Sequence, residues 1–318
     1  MDNFTHSLVG WALGQAGLKT KTRKGLAVLV LGANMPDSDV FFGWVGWPPL
    51  AMHRGFTHGL VGGFLIMPLM LAGLLLLLDR WQVKRGATFN SGLAMHPSWL
   101  VALAYLGTLT HPLLDLQTTY AVQLLSPLSS AWYHMDSLFI IDVWVWSALA
   151  GTIAWSRWRE KQGREWRQPV QAVIAAFLVY ISFNVGLSQT AHEAVAKRSS
   201  AATDIFASPP PVFFWQRSMS WREGRSIGQA EFRPFGGGLM PSAPLQPDGM
   251  DDPIVRQTLA SHPALRRFLG WSILPVATVE RSKCKATVSI GDARYLRAGS
   301  RRSRLERQVV TNLPGPGC

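Results

Sequence analysis

The chain has 318 residues, 48 % of them apolar and 16 % charged, with a formal charge of +12 and a pI near 10.3. Mean hydropathy is +0.12, an apolar sequence diluted by a polar C-terminal third, and the two cysteines, Cys284 and Cys318, leave no thiolate for a site in the apolar part. The positive charge there is gathered into short loops rather than spread over a surface, so its excess is not evidence of nucleic-acid binding.

Phe4–Leu18 is apolar but short, about 22 Å as a helix at 1.5 Å per residue. Met1-Asp2-Asn3 lacks the positive n-region of a signal peptide, so the segment is expected to be retained as a membrane element. A basic loop, Lys19–Lys24, follows. Leu26–Trp47 is interrupted by Asn34-Met35-Pro36-Asp37-Ser38-Asp39, which predicts a half-helix over 26–33 that breaks into a polar loop. After His53-Arg54-Gly55-Phe56-Thr57-His58 come apolar runs at Gly59–Leu78, Trp99–Leu116, Leu138–Trp155 and Val170–Leu187, each of spanning or near-spanning length. Gly10-x-x-x-Gly14 and Gly59-x-x-x-Gly63 suit close helix contacts. Twelve of the thirteen Lys and Arg residues in 1–188 lie in Lys19–Lys24, Arg80–Arg85 and Arg157–Arg167, with Arg54 the exception. By the positive-inside rule these three loops are expected in the cytoplasm.

Beyond residue 190 the pattern changes. Phe213–Phe235 alternates as strands do, Gly236-Gly237-Gly238 and Pro241–Pro253 read as loop, His262–Leu269 as helix and Ala286–Ile290 as strand. The expected fold class is an all-α polytopic membrane helix bundle over 1–190 with a small α+β or β-rich C-terminal extramembrane region over 191–298. A basic flexible tail is expected over 299–318. A disulfide between the two cysteines is left open by the sequence.

The apolar part also carries ionisable residues that are costly at bilayer depth: His6, Asp37, Asp39, His53, His58, His111 and Asp115. Nitrogen and oxygen donors of these types suit a divalent metal. With Lys19–Lys24 inside, the charge distribution brings Asp37, Asp39, His53, His58, His111 and Asp115 to the external end of their segments, and His6 as well if the N-terminal helix crosses with its N-terminus outside. His111 and Asp115, at i and i+4, share a helix face and could reach one ion, against a reading as a buried His–Asp pair. Asp37 and Asp39 flank Ser38 in a turn, where Asp is also favoured for capping. Asp39 is expected as a bridging ligand or general base, and Arg54 as a clamp on substrate charge. His134, Asp136 and Asp142 are weaker candidates, Asp136 as a cap of the next helix. His192-Glu193 lacks the second His of a zinc-protease helix, since position 196 is Ala.

The opening Met1-Asp2-Asn3-Phe4-Thr5-His6-Ser7, then Pro36-Asp37-Ser38-Asp39, His53-Arg54-Gly55-Phe56-Thr57-His58 and His111-Pro112-Leu113-Leu114-Asp115 resemble the YdjM-type family over roughly residues 1–190. Gly291-Asp292-Ala293-Arg294-Tyr295 is similar to the C-terminal region of some members. The resemblance implies a bacterial inner-membrane protein of metal-dependent hydrolase type, distantly similar to zinc-dependent phospholipases C and single-strand nucleases. His6, Asp37, His53 or His58, and His111 with Asp115 follow the ligand order of those enzymes. Their further downstream His ligands have no counterpart here, so one or two ions are expected, zinc first and manganese second.

The expected function is hydrolysis of a phosphoester, lipid-derived or otherwise, by a metal-activated water on the periplasmic side of the inner membrane. Membrane lipids are the expected partners, and no nucleic acid. The alternative is a non-catalytic metal-stabilised membrane scaffold or transport component.

Overall fold

The computed structural model describes residues 1–296 and 305–312, which divide into two compact units, Met1–Val185 and Gly186–Cys318. About half the chain is helix and about a fifth is strand in two sheets, which overturns the expectation of an all-α polytopic bundle. Among the described residues only two helices are long and apolar enough to cross a membrane, Leu60–Lys84 and Arg167–Arg198. Their most apolar windows are 39 % and 17 % buried, so neither is enclosed like the core helix of a globular domain.

In the first unit, α1 (Asn3–Gln15) is capped by Asp2, whose carboxylate accepts from the Phe4 and Thr5 amides. At 13 residues it is about 20 Å long, too short to span. Helix α2 (Gly25–Gly32) stops before a tight turn of helix, Met35–Phe41, that carries Asp37 and Asp39, and α3 (Pro48–Ala51) is a single turn. The interruption expected at Asn34 therefore falls in that place. The longest apolar run starts as a wide-turned helix, Leu60–Ile66, and continues as α4 (Met67–Lys84). Helices α5 (Pro97–Asp115) and α6 (Val143–Lys161) complete the unit with the first part of α7 (Arg167–Arg198).

Two of the four apolar runs form helices of 19 residues that are long enough to cross but not apolar enough throughout, for local reasons. Helix α6 begins only at Val143, because Asp142 accepts from the Trp144 and Val145 amides and sets its start. Its last turn is spent on Arg157, Arg159, Glu160 and Lys161. Helix α5 gives its C-terminal half to Thr108, Thr110, His111 and Asp115, and turns Leu100, Leu103, Ala104 and Gly107 against its neighbours.

The packing of α1, α2 and α5 is unusually close. A Cβ at Gly10 would sit 2.7 Å from the Leu29 carbonyl oxygen, and one at Gly107 2.8 Å from the same atom. These absent side chains let the backbones approach as small-residue seams do in membrane helices. Val28 and Leu29 are fully buried in that seam, packed with Leu71, Leu75, Leu100 and Leu103.

The second unit holds an antiparallel sheet of β1 (Ala202–Ser208), β2 (Arg217–Glu223), β3 (Ser226–Arg233) and β4 (Gly238–Pro247) in sequential order. A second antiparallel sheet contains β5 (Pro275–Arg281), β6 (Lys285–Asp292) and β7 (Glu306–Asn312). Helices α8 (Pro253–Ser261) and α9 (Pro263–Trp271) bury Val255 and Leu265 against Val288 and Ile290 of β6. Two sequence expectations are corrected. The loop expected from Pro241 is instead β4, whose Pro241, Pro244 and Pro247 are tolerated because it is the edge strand and is irregular against β3. The frayed tail expected over 299–318 contains β7, whose register with β6 runs from Glu306 to Asn312. The rest of that tail, including Cys318, lies outside the described residues.

Candidate metal centre

Four segments converge at one end of the first unit: the start of α1, the turns Met35–Phe41 and Phe56–His58, and the C-terminal turn of α5. They bring Asp37, His58, His111 and Asp115 together so that one donor atom from each lies within 4.8 Å of the others. His111 Nε2 is 3.2 Å from Asp37 Oδ1 and 3.5 Å from Asp115 Oδ2. His58 Nε2 is 3.5 Å from Asp37 Oδ1 and 3.3 Å from Asp115 Oδ2.

What decides the chemistry is the other nitrogen of each ring. His111 Nδ1 lies 2.6 Å from the Ala33 carbonyl oxygen, which can only accept, so Nδ1 carries the proton. The neutral ring then turns an Nε2 lone pair towards two carboxylates. His58 repeats the arrangement, with Nδ1 3.3 Å from Asp39 Oδ2 and Nε2 turned inward. Lone pairs facing carboxylate oxygens repel unless a cation stands among them. Metal-ligating histidines are held in the same way, by a carbonyl or carboxylate on the far nitrogen. His58 Nε2 and Asp115 Oδ2 are buried without a hydrogen-bond partner among the described residues, a costly state that coordination would relieve. The donor set fits a divalent cation.

Asp115 divides its two oxygens. Oδ1 is bonded by the Arg54 guanidinium at 2.9 Å and by the Met1 amino group, with His6 Nε2 at 3.5 Å. Oδ2 is left to face His58 and His111. Arg54, expected at the substrate, is 2 % exposed and points inward, donating also to Thr118 Oγ1 and the Ala121 carbonyl. Its plane lies over the Tyr120 ring at 4.4 Å. Arg54, Ala121 and Asp136 all have positive φ, a conformation non-glycine residues adopt only where surrounding bonds impose it.

Asp39 is equally committed. It accepts from the Arg54 amide at 2.9 Å and Thr57 Oγ1 at 2.8 Å, and lies 2.8 Å from His53 Nδ1. Burial alone would raise its carboxyl, but the hydrogen bonds from His53 and His58 hold it well below the usual carboxylate range. A carboxylate so engaged is a poor base. His53 is the more open partner, its side chain 38 % exposed, and with Asp37 and Asp39 it forms a second set of donors that shares Asp37 with the first.

His6 stands outside the set of four. It is fully buried, stacked on His111 at 3.7 Å between centroids, and neither ring nitrogen has a hydrogen-bond partner among the described residues. His134 pairs with Asp136 at 2.9 Å, apart from both sets. Asp142 caps α6 and accepts from Tyr180, and so takes the capping role expected of Asp136. Thr57 and the Ala33 carbonyl were not singled out in the sequence. Thr57 sits inside the His53–His58 motif, a usable signal, whereas a backbone carbonyl leaves no trace in residue identity.

A family model of the YdjM inner membrane protein matches residues 1–191. The chain belongs to the YdjM inner membrane protein family. The match ends within α7 and covers every residue of the centre. No curated protein and no solved structure matches the chain. Within this YdjM-family protein, then, the region shared with the family holds the convergent His and Asp side chains, and both sheets lie beyond it.

Proposed function

We propose that this protein is a membrane-bound metal-dependent hydrolase of phosphoesters. The observation that carries the reading is the pair of imidazole Nε2 atoms, each fixed from behind through Nδ1, facing Asp37 and Asp115. Asp37, His58, His111 and Asp115 would hold one ion, with zinc favoured by the mixed nitrogen and oxygen set and manganese the alternative. Bound there, the ion supplies Lewis-acid polarisation of a phosphoryl oxygen and lowers the pKa of water towards neutrality.

The chain's own residues divide the remaining work. Arg54 neutralises Asp115 from the far side and fixes which oxygen faces inward. Asp39 orients His53 and His58 as a positioning residue. His53 is open to solvent and held through Nδ1 by Asp39, which leaves the Nε2 lone pair to take a proton from the attacking water and pass it to a leaving oxygen. A second ion on Asp37, Asp39 and His53 would compete with the 2.8 Å Asp39–His53 hydrogen bond, so we assign one ion. The scaffold alternative is favoured by the burial of His58, His111 and Asp115. The partial exposure of Asp37 and His53 favours access, and with it catalysis.

We also place the centre on the periplasmic side. Arg23 pairs with Asp79 at 2.9 Å, Lys24 donates to Gln82, and Lys19 pairs with Glu160 at 2.5 Å, so the three basic segments gather at one end of the unit. His58 immediately precedes the Leu60–Lys84 helix, at its other end. Positive charge favours the cytoplasmic face.

The test is metal content per chain in detergent-purified protein, wild type beside His111→Ala and Asp115→Ala, followed by assay on phosphodiesters. Stoichiometric metal lost in both variants, with hydrolysis by wild type alone, is the expected result. Wild type without metal after supplementation would end the reading.

A further inference from the structure

Two loops beside the centre are apolar and carry no formal charge of their own. Neither Val40–Met52 nor Leu116–Tyr133 except Leu116's neighbour Asp115 contains or adjoins a charged side chain outside the donor residues. The two loops are joined there: the Gln123 amide donates to the Arg54 carbonyl, and the Leu60 amide to the Leu124 carbonyl. Their tips face outward, with Trp44 83 %, Leu128 78 % and Phe41 74 % exposed.

Such a surface is unfavourable in water. Two features say what covers it. Trp44 Nε1 donates to the Phe41 carbonyl at 2.9 Å, so the exposed indole has its polar atom satisfied inside the loop and presents only apolar ring. The loop is also held at its base, by the His53–Asp39 bond and by Trp47 packed on Phe56 at 5.0 Å, so the aromatic tip is presented on a fixed stem. Second, the surface runs directly into the Leu60–Lys84 helix, whose Leu65, Leu69, Leu74 and Leu77 are exposed along its length. An apolar side that continues from a candidate membrane span into an aromatic loop matches the bilayer boundary, where Trp is enriched.

We propose that the Val40–Trp47 loop, with the Leu125–Leu128 turn beside it, inserts into the bilayer interface, and that the centre therefore takes the phosphodiester of a membrane lipid rather than a soluble ester. The insertion stands on the surface alone, and the substrate class rests on the hydrolase reading. Asp39 immediately precedes the inserted loop and His53 follows it across α3, so the depth that buries Phe41 and Trp44 brings the headgroup layer to Asp37 and His53.

The test separates the two parts. A nitroxide is attached at Trp44→Cys, and in a second sample at Phe41→Cys, in full-length protein carrying Cys284→Ser and Cys318→Ser. The protein is placed in nanodiscs of phosphatidylethanolamine and phosphatidylglycerol. Leu74→Cys on the apolar helix and Gln257→Cys on α8 serve as lipid and aqueous references. We expect oxygen to relax the labels at 41 and 44 more than chromium oxalate does, as at 74. Labels at both positions that respond to chromium oxalate as position 257 does would overturn insertion, and a soluble protein partner would then be the better occupant. For the substrate, rates on phosphatidylglycerol in the nanodisc and on bis-p-nitrophenyl phosphate are compared in the Phe41→Ser/Trp44→Ser variant. A severalfold fall in the ratio of lipid to soluble rate is expected. An unchanged ratio overturns lipid selection, and wild type that hydrolyses neither removes the hydrolase reading while the label result stands.

Discussion

Asp115 is the residue on which the centre turns, because each of its oxygens has a different kind of neighbour. Arg54 and the Met1 amino group bond Oδ1, and the two imidazoles face Oδ2. Replacing Arg54 with Met leaves a buried carboxylate short of its main partner, a loss of about 3–5 kcal/mol for a broken buried pair. Arg54→Met should therefore lower the thermal unfolding midpoint in detergent far more than Arg54→Lys, which keeps the charge. Asp39→Asn tests the shell behind the ligands. It removes no donor of the set of four but loosens His58 and His53, and an outer-shell change of this kind costs roughly 10–100-fold in metal affinity. Competition against a fluorescent chelator measures it, and unchanged affinity would mean that Asp39 does not orient His58. The donor types and their i, i+4 spacing were legible in the sequence. The inward turn of Arg54 was not, because an arginine beside two histidines reads as a surface clamp until its partner, 61 positions away, is known.

At the scale of elements, the centre depends on how closely three helices approach. His6 on α1, the Ala33 carbonyl after α2 and His111 on α5 meet because Gly10 and Gly107 both lie against the Leu29 backbone. Gly107→Val puts side-chain carbon where a single Cβ is already within 2.8 Å of a carbonyl oxygen, so α5 must move away from α2. Overpacking of this kind costs about 1–3 kcal/mol, and the shift should break the His111–Ala33 hydrogen bond. We expect Gly107→Val to lose metal as His111→Ala does, although it alters no donor. Gly73→Ala is the control: nothing lies within 4 Å of its Cβ, so metal content should be retained. Elemental analysis of both variants decides the point. The helices themselves were foreshadowed by apolar runs, and the break at Asn34 by its polar insert. Their lengths were less legible. The start of α6 is set by the Asp142 cap five residues into an apolar run, and hydropathy averages over such a cap.

For the molecule as a whole, the chain combines a helical unit that belongs to its family and a second unit whose stability rests on different physics. The polar composition beyond residue 190 made an extramembrane region readable, but β4 and β7 were hidden, one by its prolines and the other by a basic sequence that suggested a tail. Asp292 is a fully buried charge of the second unit, bonded by the Arg294 guanidinium at 2.9 Å, Ser272 Oγ at 2.6 Å and the Ile273 amide. Burial alone would raise this carboxyl, and the Arg294 charge and the hydrogen bonds hold it below its ordinary value. A carboxylate depressed in the folded state contributes stability that is complete above the unfolded value, about 3.9 for Asp, and is lost as pH falls towards the folded one. Acid should therefore loosen β5, β6 and the α9 end around Trp271, where Arg294 lies 4.7 Å above the indole. Hydrogen exchange on the full chain, corrected for intrinsic pH dependence, should show falling protection in 275–292 as pH drops below about 4. In Asp292→Asn, protection should already be lower at neutral pH and should change less with acid. Equal acid sensitivity in wild type and variant would assign the effect to other carboxylates and leave Asp292 as a local cap of the Ala293–Tyr295 turn.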